Sequence, residues 1–156
     1  MEHAREYTIS VLKDLLNLCR EEHTLFNSAK EKIEDSSIKQ TFLNCANEKA
    51  EIINKIESEI KRLGGSLEDL GEEFSIEQDL SVNKKLDSEQ EKILYYCLEK
   101  DSITLNRYSI AMKEDIMWEV VPLIAKQYFD SKDLHEKILF TCNKKQQQNL
   151  MLGNIS

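Results

Sequence analysis

Proline occurs once in this 156-residue chain, tryptophan once and glycine four times. Turns and tight connections draw on proline and glycine, so their scarcity excludes a fold of many short elements. The residues that remain in bulk are Leu, Ile, Glu and Lys, which favour long helices, and almost no strand is expected. No apolar run approaches the roughly 18 to 20 residues that span a bilayer. The start Met1-Glu2-His3-Ala4-Arg5-Glu6 lacks the apolar stretch of a signal peptide. No membrane partner is expected, and the cytoplasm is the expected location.

Positive charge is also short. Twenty-one Lys and Arg against 29 Asp and Glu leave a formal charge of -8, and the pair Lys144-Lys145 is too small a cluster to neutralise phosphates, so nucleic acid is not an expected partner. The cysteines Cys19, Cys45, Cys97 and Cys142 form no C-x-x-C pair, which argues against a structural zinc site. They fall on or beside apolar stripes and read as small buried hydrophobes with reduced thiols. A phosphate-cradling glycine loop and a Gly-x-Ser-x-Gly elbow are both missing.

What is present is apolar periodicity. The first stripe reads Leu12, Leu16, Cys19, His23, Phe26, Ile33, and the third reads Leu94, Cys97, Asp101, Leu105, Tyr108, Met112, stepping by threes, fours or their sum. Similar stripes run through Phe42, Cys45, Glu48, Ile52 and Ile56, and through Ile124, Gln127, Ser131, Leu134 and Ile138. Each is interrupted near its middle by one polar residue: His23, Glu48, Asp101 or Gln127. A polar group in a buried stripe needs a partner or a ligand, so four at similar depth suggest one shared interior site.

The stripes predict four helices in a single domain, at about 5–32, 37–63, 88–112 and 118–143. Ser36 or Ser37 is the expected cap of the second helix, which stops at Gly64-Gly65. Asp87 or Ser88 is the expected cap of the third, and Pro122 places the first turn of the fourth near itself. Residues 66–86 read as a linker. At about 3.3 Å per residue it reaches roughly 60 to 70 Å, whereas a helix of about 26 residues is only about 39 Å long. The linker can therefore cross the whole bundle and set the third helix parallel to the second. The tail 144–156 lacks a sustained pattern and is left open to disorder, or to docking of its Leu150-Met151-Leu152 tip. Overlaying Cys19-x-x-x-His23 on Cys97-x-x-x-Asp101, and Glu48-x-x-Glu51 on Gln127-x-x-Asp130, suggests that one hairpin was duplicated.

Further residues carry a resemblance. Cys19-x-x-x-His23-x-x-Phe26, then Phe42-Leu43, Glu48 and Leu63-Gly64-Gly65, then Cys97-x-x-x-Asp101 with Tyr108, then Gln127-Tyr128 and His135, follow one another in order. Between Tyr7 and Lys144 this set resembles a bacterial family of ferritin-like four-helix-bundle proteins, known as a domain of unknown function. Two positions depart from the family pattern: His23 stands for a Glu, and Asp101 is one methylene shorter than a Glu. The resemblance implies an all-α, ferritin-like bundle of two antiparallel hairpins joined by a long crossover.

Ferritin-type sites hold two metal ions with Glu from two helices and Glu-x-x-His from the other two. This chain has no Glu-x-x-His. His23, Glu48 and Glu51 still supply one imidazole and two carboxylates, a candidate set for a single iron, manganese or zinc ion. Asp101, Gln127 and Asp130 form a degenerate second half. The favoured expectation is instead a buried polar layer without a cofactor, in which His23 bonds Glu48 and Asp101 bonds Gln127. His135, eight positions or about 12 Å beyond Gln127, is placed outside that layer. Trp118, Tyr128 and Phe129 read as packing residues. The expected function is a non-catalytic bundle that acts through association, with a homo-oligomer or another protein as partner. The alternative is a metal-binding oxidoreductase or metal-storage protein.

Overall fold

The computed structural model describes residues 2–68, 70 and 89–155, the side chains of residues 89 and 144–155 excepted. Among the described residues it contains four helices, α1 (Glu2–Lys30), α2 (Ser36–Arg62), α3 (Glu89–Ala111) and α4 (Val121–Ile155), and no strand. Among the described residues no helix is long and apolar enough to cross a membrane.

The helix ends follow from local chemistry. Asp35, rather than Ser36 or Ser37, caps α2: its Oδ1 accepts from the amides of Ser37 and Ile38, both at 3.0 Å, and from the Ser37 hydroxyl at 2.7 Å. A carboxylate suits this place because the helix N-terminus carries partial positive charge, and the serine hydroxyl becomes a donor to it. At the other end, Gly64 has φ +87°. The Gly64 amide donates to Lys61 O at 3.0 Å and the Gly65 amide to Ile60 O at 2.8 Å, closing the helix in a Schellman turn. Pro122 is the second residue of α4, where a missing N–H is harmless. Helix α4 then continues to Ile155, through the segment expected to be a tail. The expected cap at Asp87 or Ser88 and most of the 66–86 linker lie outside the described residues.

Side-chain pairs fix the helix directions. Arg5 reaches Leu63 O and Arg20 reaches Glu57, so α1 and α2 are antiparallel. Tyr7 bonds Glu114, Arg107 bonds Asp14 at 3.2 Å, and Lys100 lies 4.0 Å from Glu21. These pairs recur every seventh residue along α1 and along α3 with the turn after it, and run in opposite senses, so α3 is antiparallel to α1. Tyr108 with Gln127 and Asp101 with His135 make α4 antiparallel to α3. It follows that α2 and α3 run in the same direction. Helix α1 packs against α2 and α3, and α4 packs against the same two.

The core falls into two apolar clusters. One holds Leu12, Leu16, Ile56, Ile60, Tyr108 and Ile124; the other holds Phe26, Phe42, Cys97 and Ile138, with Phe26 edge-on to Phe42 at 5.2 Å. Trp118 and Phe129, expected to pack, are 83% and 61% exposed, whereas Tyr128 packs against the first cluster.

Candidate functional site: an ion cluster at the bundle centre

The boundary between the two apolar clusters is polar on every helix. On α1 it falls at Glu22, on α2 at Lys49, on α3 at Asp101, and on α4 between Gln127 and His135. Glu22, Lys49 and Asp101 are 1%, 2% and 3% exposed. The Lys49 Nζ lies 2.8 Å from Glu22 Oε2 and 3.4 Å from Asp101 Oδ1. Asp101 Oδ2 in turn accepts from His135 Nδ1 at 2.6 Å. Since α2 and α3 are not packing neighbours, the lysine reaches Asp101 across the middle of the bundle.

Two carboxyls share one ammonium here, so only one of them can be charged without an unpaired charge remaining in the interior. Burial raises the Glu22 pKa from 4.5 to about 8; the Lys49 charge pulls it back, and the adjacent Asp101 carboxylate pushes it up again. Burial alone would raise Asp101 as well. The His135 hydrogen bond, the Lys49 charge and the neighbouring Glu22 carboxyl instead hold it below its ordinary range. Burial likewise opposes the Lys49 ammonium, yet the charges of Glu22 and Asp101 keep it well above its ordinary value. At neutral pH the cluster is therefore a protonated Glu22, a charged Lys49 and a charged Asp101, with no net charge among the three.

A second polar chain lies beside it. The Tyr108 hydroxyl donates to Gln127 Oε1 at 2.7 Å, which leaves the Cys19 thiol to donate to Tyr108 Oη at 3.6 Å. Burial raises the thiols of Cys19 to about 11 and of Cys45 to about 12, and those of Cys97 and Cys142 also rise. All four cysteines are free and three are buried. A neutral thiol is a poor nucleophile, so none is primed for covalent chemistry.

The residues expected to form the polar layer divide. Asp101 and Gln127 are buried at the centre, but they do not bond each other: Asp101 pairs with Lys49 and His135, and Gln127 with Tyr108. His23 is only half-buried and meets Asn27 at 3.1 Å, one turn along its own helix, rather than Glu48. Glu48 is half-buried; Glu51 and Asp130 are exposed, the latter 2.7 Å from Lys126. Glu48, Glu51, Asp130 and Asp133 line a groove of about 380 Å³ between α2 and α4. Burial raises the Glu48 carboxyl, with Asp130, Asp101 and Glu51 adding to the rise against the pull of Lys49. Among the described residues no three His, Cys, Asp or Glu side chains are arranged to hold a metal ion.

Periodicity overlooks Glu22 and Lys49, and His135, expected outside the layer, instead joins it through its 2.6 Å bond to Asp101. Helix α1 packs against two neighbours, so its buried face is two rows wide, and Glu22 belongs to the second row with Val11, Leu15 and Ala29. The steps Cys45-Glu48-Ile52 and Cys45-Lys49-Ile52 are equally helical, and a lysine is by default assigned to solvent. His135 stands beside Asp101 because α4 is antiparallel to α3, which brings the eighth residue after Gln127 level with the seventh before Tyr108.

The fold and site define a four-helix bundle with an internal ion cluster drawn from all four helices. The chain belongs to the family described as Domain of unknown function (DUF2383), whose model matches residues 7–114. That span covers α1 from Tyr7, all of α2 and α3, and the turn after α3, but stops short of α4. None of the curated proteins matches the sequence.

Proposed function

We propose that this chain is a ferritin-like bundle that acts through association rather than catalysis, its own lysine serving as the cation of a degenerate metal layer. The observation that carries the reading is the Lys49 ammonium between Glu22 and Asp101. A divalent ion at that point would have to displace a positive charge already held by the same two carboxyls. The candidate ligands His23, Glu48 and Glu51 do not fit a single ion, because His23 is turned to Asn27 and Glu51 to solvent. The common direction of α2 and α3 supports a long ferritin-type crossover between them. Catalysis at the cluster is disfavoured by its burial, which leaves no surface for a substrate.

Association is supported by the distribution of exposed apolar groups. Of the eight large ones among the described residues, seven belong to α3, α4 or their connection, with Trp118, Phe129 and Phe140 between 61% and 83% exposed. Isolated exposed apolar residues are common, but this concentration on one hairpin favours a protein partner or a second copy. The test is elemental analysis of protein purified without a histidine tag, after equilibration with iron, manganese and zinc. Metal well below one equivalent per chain is expected. One tightly bound equivalent, lost in Glu48→Gln, would establish the alternative of a metal-dependent oxidoreductase or storage protein.

A further inference from the structure

Several buried polar atoms at the bundle centre have no hydrogen-bond partner among the described residues: Gln127 Nε2, Ser131 Oγ, both Glu22 carboxyl oxygens and Lys49 Nζ. For Glu22 and Lys49 this means that their 2.8 Å contact is a charge contact without hydrogen-bond alignment. Gln127 and Ser131 are 4% and 2% exposed and occupy successive turns of α4. Ser131 stands four residues from Gln127 and four from His135, about 6 Å along the axis from each. It therefore lies midway between the Tyr108–Gln127 pair and the Asp101–His135 pair. An ammonium has three donors, and an amide nitrogen and a hydroxyl add more. Apolar cavities stay dry, but a site offering two to four polar partners binds water.

The geometry points to an ordered-water site at the centre of the bundle, held by Gln127, Ser131, Lys49 and Glu22. This water joins the Cys19–Tyr108–Gln127 chain to the Glu22–Lys49–Asp101–His135 cluster, making one hydrogen-bonded network across all four helices. The chain neighbours of Lys49 and His135, Glu48 and Leu134, line the groove between α2 and α4. Glu48 has a buried Oε2 that also lacks a partner among the described residues. The inference stands apart from the associative function: a metal-binding or a metal-free bundle could equally be hydrated.

Ser131→Ala in the full chain separates a wet centre from a dry one by the sign of its effect. If Ser131 is a ligand of bound water, its loss removes one of that water's partners, and the melting temperature falls by about 2 to 4 °C. In a dry centre the same change deletes an unpaired hydroxyl and the melting temperature rises. Water-to-protein cross-relaxation in the NMR spectrum gives the second reading, with a cross-peak expected between the Gln127 side-chain amide and long-lived water. A rise in melting temperature, or the lack of that cross-peak in the wild-type protein, overturns the proposal.

Discussion

Replacing Lys49 by Met keeps most of the length of the side chain and removes its charge. The two carboxyls it contacts at 2.8 and 3.4 Å then remain in the interior without their cation. Removing one member of a buried pair costs about 3 to 5 kcal/mol. The lower end applies here, because Asp101 keeps its 2.6 Å hydrogen bond from His135 and Glu22 already holds a proton at neutral pH. A loss of about 3 kcal/mol is a large share of the roughly 5 to 15 kcal/mol that stabilises a typical domain. Glu22→Gln is the contrast. It replaces a neutral carboxyl by a neutral amide, so its effect stays within about 1 kcal/mol at acid pH, where Glu22 is protonated both folded and unfolded, and the variant gains on the wild type as pH rises toward 8. The pH dependence gives the sign check. The folded state holds the Glu22 proton up to about pH 8 against an ordinary 4.5, so it binds more protons than the unfolded chain between those values. Stability therefore falls as pH rises through that window, by up to about 1.4 kcal/mol per unit from this group. Urea unfolding of the wild type and both variants at a series of pH values measures all three effects. A Lys49→Met variant as stable as the wild type, or a wild-type slope between pH 5 and 8 that Glu22→Gln leaves intact, would refute the charge assignment.

Other perturbations test the surroundings of the cluster. Tyr108→Phe leaves Gln127 Oε1 buried without its 2.7 Å donor and is expected to cost about 1 to 3 kcal/mol in the same unfolding assay. Asp35→Ala removes the cap that serves two amides and a hydroxyl of α2, with a loss of about 1 kcal/mol, whereas Ser36→Ala changes little; equal losses would return the cap to the serine. In native protein a thiol reagent is expected to modify Cys142 first, since Cys19, Cys45 and Cys97 are buried. Mass mapping that finds Cys19 modified ahead of Cys142 would contradict that order.

Helix number and type were legible in the sequence because amphipathic periodicity is a local property. The end of α2 was legible too, since Gly64-Gly65 can hardly be read otherwise. The extension of α4 to Ile155 was not, because residues 144–155 show no periodic stripe. Of the central site, Asp101 and Gln127 could be found as polar breaks in an apolar row. Glu22 and Lys49 could not, because each adjoins a second polar residue, His23 or Glu48, that fits the helical step as well. Choosing between neighbours requires knowing which sides of α1 and α2 are covered, and that is settled by α3 and α4. A second clue was available but ambiguous: a carboxylate in the interior calls for a cation, and Lys49 is one turn from Cys45 on the same face.

The seven-residue recurrence of polar pairs between α1 and α3 has a hidden weakness. Sliding α3 by one heptad, about 10.5 Å, would set Lys100 opposite Asp14 instead of Glu21 and Arg107 opposite Tyr7. The surface ladder would lose little, since such exposed pairs contribute only about 0 to 1 kcal/mol each. Apolar rows repeat on the same spacing and would also mesh. What cannot slide is the charge at the centre, for Asp101 would then come to rest near Leu15, among aliphatic side chains and out of reach of Lys49. The ladder is a scale with repeated graduations, and the ion cluster is the single mark that tells them apart. A bundle with Glu22, Lys49 and Asp101 all made apolar should thus gain strength while losing uniqueness, and populate staggered alignments that the native chain never visits.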